Sequence, residues 1–578
     1  MIRELLQGPA GGRAPSLGAM GAIFRPAGAL LLVGALVACG EPSPIPGDSA
    51  PPSSPASGSG AAVSSLVARS ASGVVVSGAP LASRAGVEIL EAGGNAVDAA
   101  VATAFALGVV EPTQSGLGGR TQGLVVEPDG TAFGIDATTE VPASYDPDNA
   151  PDAERGHVTV AIPGTVAGLV SLHERGGRLP LEQVMEPAIR LARDGFVLGE
   201  GEAGRLAGVR DVIAADPGAS TVFLRSDGTS LEAGDRLVLR DLAAVLEGVA
   251  ADRGESFYRG EVARAMVADV ADRGGYLTLE DLERYAARDA IVVRGRYRDL
   301  DLIGTYLPAS GATAIEALQI LERLPPAEPE SPSWVASVAT ALLAAFEDRE
   351  AASGEPAEDA ARLTSVEWAE RRAAELGSSP PTAQAPSTPP ESAHTTHLSV
   401  VDGEGRMVAM TQSLGPTMGS GVVTPGLGFP YAATLAGYLG YVRPGERAWS
   451  SQAPLVAFRD GASVLVIGGA GARRILSALV SVVDRFARGI PIQEAMERPR
   501  FHPTGGTLIL EVDSARSWGW PGGIPGEIGG LEVDSRPTST YFARLNAVGL
   551  EPASEIAVGV ADPRWPWGGA LGTAQGGL

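Results

Sequence analysis

Apolar and polar positions alternate along this chain with two different periods. Gly73–Ser77 is an apolar run of strand length, and from Pro80 the apolar positions recur at helical spacing through Val87, Ile89 and Leu90 until Gly93-Gly94-Asn95 interrupts them. Residues 96–109 follow as a helix that is apolar nearly all round (Val97, Val101, Ala104, Phe105, Leu107), which predicts burial. At fourteen residues it is too short to span a bilayer. Period-two runs at 123–126 and 131–135 flank Asp129-Gly130 and predict a hairpin. Helices are expected from Pro163-Gly164-Thr165, over 180–192 with Leu181, Val184, Met185, Ile189 and Leu191 on one side, and at 242–249, 261–271 and 279–285. Strands at 291–297 and 300–303 precede helices at 314–324 and 334–349. The stretch from Gly377 to Pro390 is rich in Pro and Ser and fits neither element, so it reads as an exposed linker. Immediately afterwards Leu398 and Val400, then Met407 to Met410, surround Asp402-Gly403-Glu404-Gly405 as a second hairpin, with helices to follow at 477–488 and 491–497.

Composition changes this picture at two points. The 578 residues carry a net charge of −24, and every basic residue is Arg. Such acidity disfavours nucleic acid as a partner, because that affinity rests on neutralising phosphates. Near the N-terminus, Arg25 precedes an apolar segment from Ala27 to Cys39 that ends in Leu36-Val37-Ala38-Cys39. This is read as a signal peptide over 1–39 with a bacterial lipobox, Cys39 becoming the lipidated first residue. An ordinary secretory signal with an incidental cysteine is the alternative, and Met20 is an equally serviceable start. Gly40 after the cysteine favours the outer membrane, so the expected location is a lipid anchor on the periplasmic or outer-membrane side. Residues 40–66 are Pro/Ser/Gly-rich and read as a tether. Cys39 is the only cysteine, so an internal disulfide is excluded.

Candidate chemistry concentrates where the linker meets the strand. In Ala393-His394-Thr395-Thr396-His397 the proposed nucleophile is Thr395. A threonine hydroxyl is weak unless a base takes its proton, and one solution is to free its own α-amine by cutting the chain just before it. A β-prone strand start after a linker explains the same residues. Ser115-Gly116-Leu117-Gly118-Gly119 reads as a structural turn, because no Lys-Ser/Thr closes it as a phosphate loop. His157 and His173 stand apart without a second ligand at metal spacing and read as surface or packing residues, so neither metal nor cofactor is expected.

The run TTHLSVVDGEGRMVAMTQS with GSGVVTPGLGF resembles the small-subunit start of the γ-glutamyltranspeptidases, which are N-terminal-nucleophile hydrolases. Further matches are GAPLASRAGVEILEAGGNAVDAAVATAFALGVVEPTQSGLGG, AIPGTVAGL, AFEDRE, WSSQAPLVAF, MERPRFH and VGVADPR, in the family's order from about Ser72 to Arg564. The resemblance implies an α+β fold, a four-layer αββα sandwich built jointly by a large segment (67–394) and a small one (395–578). It also implies self-cleavage at His394-Thr395, with the fragments staying together. By the same resemblance the backbone amides of Gly471 and Ala472 hold the oxyanion. Ser413 supports the nucleophile in place of a Thr, and Ser450 and Ser451 bind the substrate carboxylate. Gly468 to Ala472 reads as a glycine turn before a helix, and the alanine at 472 is harmless if its φ is ordinary.

Other family features are missing. Asp136-Ala137-Thr138-Thr139-Glu140 lacks the Arg that grips the α-carboxylate of a γ-glutamyl group. The ammonium-holding Asn and acid align with Gly415 and Gly437, and a usual Gln or Glu aligns with Thr434. Arg120 is a candidate replacement guanidinium; a solvated surface residue is the other reading. The implied function is hydrolysis or transfer of γ-glutamyl amides such as glutathione, to water or an amine. The departures keep two alternatives open: an acylase for another acyl amide, a dicarboxylic one for example, and a catalytically silent surface protein.

Overall fold

The computed structural model describes residues 65–351, 354–378, 394–439, 442–513, 516–551 and 556–574. The proposed signal and lipidated Cys39, nearly all of the tether, and the Pro-rich linker after Ser378 lie outside these residues. The helix Pro80–Glu91 ends at Ala92, and Asn95 starts the next: its side chain accepts from the Val97 and Asp98 amides while Asp98 accepts from the Asn95 amide. The helix it caps, Ala96–Val110, has every residue buried, as its all-round apolarity predicts. No helix among the described residues is long and apolar enough to cross a membrane.

Thirteen strands form the main array. They are β1 (Val67–Ser70), β2 (Gly73–Ser77), β3 (Arg120–Val126), β4 (Ala132–Ala137), β5 (Arg288–Tyr297), β6 (Leu300–Tyr306), β7 (His394–Asp402), β8 (Met407–Gly415), β9 (Leu455–Arg459), β10 (Ala462–Ala470), β11 (Arg544–Glu551), β12 (Ile556–Ala561) and β13 (Gly569–Gly572). The order is β1-β12-β11-β10-β9-β6-β5-β4-β3-β8-β7-β2-β13, so blocks of strands from before and after Thr395 are interleaved in it. Strand β5 joins two sheets: Ala290 pairs with Gly134 of β4, while the residues from Ile291 onward pair with β6.

Side-chain alternation sorts the faces of these sheets. Even-numbered positions Leu398, Val400, Val408 and Met410 pack with the helices between Pro80 and Arg284. On the opposite face Val74, Val76, Leu124, Val126, Val401, Met407 and Ala409 meet Ile303, Val456, Val466 and Val548 of the second sheet. The second sheet's outer side packs with helices Gly311–Arg323, Pro332–Glu350 and Arg474–Ala487. The fold is therefore mixed α/β, and the period-two pattern places its active chemistry on a known side: whatever shares a face with Val401 and Leu124 looks into the space between the sheets.

Candidate active site

The space between the sheets changes character along the strands. At one end it is lined by Val and Met; toward the start of β7 the same face carries Ser399, His397 and finally Thr395. Register aligns the neighbours: Thr395 opposes Ser413 on β8, and Ser413 opposes Arg120 on β3. The three side chains therefore occupy one row across three strands. Thr395 Oγ1 lies 3.0 Å from Ser413 Oγ, which also accepts the Gly415 amide at 3.0 Å. Thr395 is 4 % exposed.

Thr396 points the other way and is fixed there. Its hydroxyl donates to Glu111 Oε2 (2.8 Å), and Arg205 donates to Glu111 Oε1 (2.8 Å) and to Glu202 (3.2 Å). Arg544 donates to the Thr395 carbonyl (2.6 Å) and to Gln114 Oε1 (2.9 Å). Burial, with Arg205 adding to it, pushes the Arg544 guanidinium down to about 9. Asn546 donates to the His397 carbonyl at 2.6 Å. The backbone following the proposed nucleophile is thus held by a charged and an amide side chain. None of these residues is picked out by the sequence reading. Signals for them exist: Glu111 ends a helix that is apolar nearly all round, and Arg544 and Asn546 are polar at strand spacing in a run that is otherwise apolar.

His397 is fully buried, with Nδ1 2.7 Å from Thr411 Oγ1 and Nε2 3.1 Å from Ser399 Oγ. Burial pushes it down to about 3, and burial together with Arg474 and Arg473 does the same to His502. Both rings are neutral in the fold and titrate near 6.5 when unfolded. The unfolded chain therefore binds more protons below about pH 6.5, and stability falls as pH drops, by about 1.4 kcal/mol per pH unit for each histidine. Urea unfolding between pH 6.5 and 5 is expected to show this slope, and His397→Gln to reduce it by about one histidine's share.

Gly468, Gly469 and Ala470 do not form the expected turn; they continue strand β10. A Cβ at 468 would meet the His397 ring at 2.3 Å, so that glycine serves the approach of two strands. Only Gly471 and Ala472 turn, ahead of the helix Arg474–Ala487. Gly471 has φ +133°, and Ala472 lies in the left-handed region at φ +54°. The expectation of harmless alanine geometry is corrected here: this conformation costs an alanine about 1 kcal/mol relative to glycine. Neither amide donates a hydrogen bond to another described residue, which leaves both N–H groups available to an oxyanion.

Ser450 is held by partners of its own. Its carbonyl accepts from Ser310 Oγ (2.6 Å) and Arg349 (2.7 Å), and its own hydroxyl accepts the Gln452 amide (3.2 Å). Ser450 and Ser451 are half-buried, and among the described residues no hydrogen bond joins them to Thr395, Ser413 or Arg120. Arg120 is 6 % exposed, so the solvated reading fails. His157 and His173 resolve as packing residues: His157 lies near Asp216 and Asp269, and His173 Nε2 is 2.7 Å from the Leu179 carbonyl.

Comparison with known proteins places these observations in one family. The family model for gamma-glutamyltranspeptidase matches residues 82–571. An acylase ACY 1 proenzyme of Pseudomonas sp. (strain V22) is 36 % identical over 468 residues, covering 76 % of this chain and 84 % of that protein. A glutathione hydrolase proenzyme of Escherichia coli (strain K12) is 32 % identical over 475 residues, covering 75 % and 81 %. Among solved structures, cephalosporin acylase from Bacillus halodurans superposes with TM-score 0.78 at 26 % identity, covering 91 % of this chain and 99 % of that one.

Proposed function

This chain belongs to the gamma-glutamyltranspeptidase family, and from that premise we propose that it is a self-processing amidohydrolase or acyltransferase with Thr395 as nucleophile. The observation that carries the reading is the row formed by Thr395 and Ser413 beneath a peptide bond that begins a buried strand. In processing, Thr395 Oγ1 attacks the His394 carbonyl carbon; the peptide C–N bond breaks, an ester forms, and the α-amine is released. Water then hydrolyses the ester. In turnover that amine takes the hydroxyl proton as Oγ1 attacks a substrate amide, and the Gly471 and Ala472 amides hold the oxyanion. The proton passes to the leaving amine, and water or an acceptor amine resolves the acyl-enzyme.

Stacked as helices, sheet, sheet, helices, the chain fits the four-layer αββα sandwich of N-terminal-nucleophile hydrolases, with large and small fragments remaining associated. Export with a lipid anchor at Cys39 completes the proposal. The acyl group has two readings. Relatives named glutathione hydrolase favour γ-glutamyl amides, with Ser450 and Ser451 on the carboxylate. The acylase reading is favoured by the pocket: the Thr434 hydroxyl is 2.9 Å from Thr139 Oγ1, and positions 415 and 437 carry no side chain to hold an ammonium group. The purified protein is expected to separate into two fragments, the smaller beginning at Thr395 by mass spectrometry, and to release p-nitroaniline from γ-glutamyl or glutaryl p-nitroanilide. An unbroken chain with no release would defeat the proposal.

A further inference from the structure

Arg120 lies in the Thr395 row, and its hydrogen bonding sets it apart from three other buried or half-buried guanidinium groups. Arg447 is taken up by Asp136, Glu140 and the Ala286 carbonyl. Arg544 serves Thr395 and Gln114. Arg155 donates to the Thr417 and Gly419 carbonyls at 2.8 and 2.9 Å. Arg120 alone of the four has buried nitrogens without a hydrogen-bond partner among the described residues, its Nε and Nη1, and its charge acts on the neighbouring Tyr438 phenol. A guanidinium removed from water without an anion is costly, so an arrangement of this kind is stable mainly as half of a pair.

Space around Tyr438 supports the same conclusion. Gly415 has φ +90°, and a side chain there would begin 3.1 Å from Tyr438 Oη. The phenol thus takes the room that a longer residue at 415 would need. A side chain at 437 would begin 3.0 Å from the Ala153 amide nitrogen and the Asp152 carboxylate, against the loop wall. The charges felt by Tyr438 are those of Arg120, Arg155 and the exposed Glu154, two cations to one anion. Around the phenol itself cations outnumber anions, which favours an anionic group over an ammonium ion there.

We infer that Arg120 and Tyr438 form the specificity subsite for a carboxylate at the far end of the acyl group, and that the acyl group carries no amine beside it. Arg120 stands two strands from Thr395, about 9.5 Å between backbones, a separation suited to a short dicarboxylic acyl group of glutaryl size. The guanidinium would bind that carboxylate, with the phenol as a further donor. The assignment deepens the acylase reading and rests on Thr395 as nucleophile.

Processed wild type, Arg120→Met, Arg120→Lys and Tyr438→Phe are compared on three p-nitroanilides: glutaryl, γ-glutamyl, and the uncharged glutaramoyl analogue. Wild type is expected to favour glutaryl over both others in kcat/KM. The glutaryl to glutaramoyl ratio is expected to fall about 10- to 150-fold in Arg120→Met, the span of one lost charge-assisted contact, with a smaller fall in Tyr438→Phe. A ratio preserved in Arg120→Met, or a wild type that favours γ-glutamyl, overturns the assignment. Calorimetric titration of processed wild type with free glutarate needs no turnover and no variant, and absence of binding overturns it equally. Cleavage or turnover persisting in Thr395→Ala would instead defeat the nucleophile reading while leaving the glutarate titration intact, so the two failures are separable.

Discussion

Replacing Thr395 with alanine is expected to leave one continuous chain on a denaturing gel and to abolish amide hydrolysis, by about 10⁶-fold if it behaves as removal of other activated nucleophiles does. The neighbouring hydroxyls cannot substitute. Thr396 faces the helices and donates to Glu111. Ser413 is close, at 3.0 Å, but sits inside β8 where no α-amine can be freed beside it. Thr395→Ser keeps both the hydroxyl and the amine and is expected to cut more slowly rather than not at all. A Thr395→Ala protein that still divides, or still hydrolyses the anilides, would end the interpretation.

The second large effect concerns stability. Asp562 pairs with Arg500 at 2.6 Å, and its carboxylate also accepts the Leu545 and Arg564 amides at 2.7 and 2.9 Å. Burial alone would raise this carboxyl, but Arg500 and Arg564 outweigh it and hold the group below the usual range. Arg564 in turn pairs with the fully buried Glu511. Asp562→Ala leaves the buried Arg500 guanidinium without its counterion and is expected to cost about 3–5 kcal/mol. Urea unfolding in the Thr395→Ala background, where the chain is expected to stay whole, reads this as a lower midpoint. The double change Arg500→Met with Asp562→Leu is expected to recover much of the loss, because it removes both charges together.

These ion pairs give physical content to motifs that are only strings in the sequence. MERPRFH contributes Arg500, and VGVADPR contributes Asp562 and Arg564, so two distant landmarks meet behind β11. Periodicity made the helices and the two hairpins legible, because each depends on neighbours a few residues away. The hairpin around Asp402 to Gly405 is found with its turn where expected, between β7 and β8. What sequence alone leaves open depends on tertiary register or on backbone angle. A single Arg after a glycine run is most often solvated; here the pairing of β3 with β8 carries it inside. Likewise nothing in the identity of Ala472 announces a left-handed φ, and Gly468 resembles turn glycine until the ring of His397 is placed against it. Tyr438 escapes notice for a similar reason: its meaning comes from Gly415, twenty-three positions earlier in the chain.

Strand β7 is an interior member of the array, with β2 on one side and β8 on the other. If the peptide bond ahead of Thr395 is severed, the fresh end is therefore held by the β8 ladder on one flank and by Arg544 on its carbonyl, while the β2 ladder begins at Ser399, so it is not left to fray. Five strand ladders join large and small pieces among the described residues, so dilution should not drive them apart as it does two docked subunits. The nicked molecule is expected to unfold once, as a unit, and to recover poorly from denaturant when its halves must find each other again.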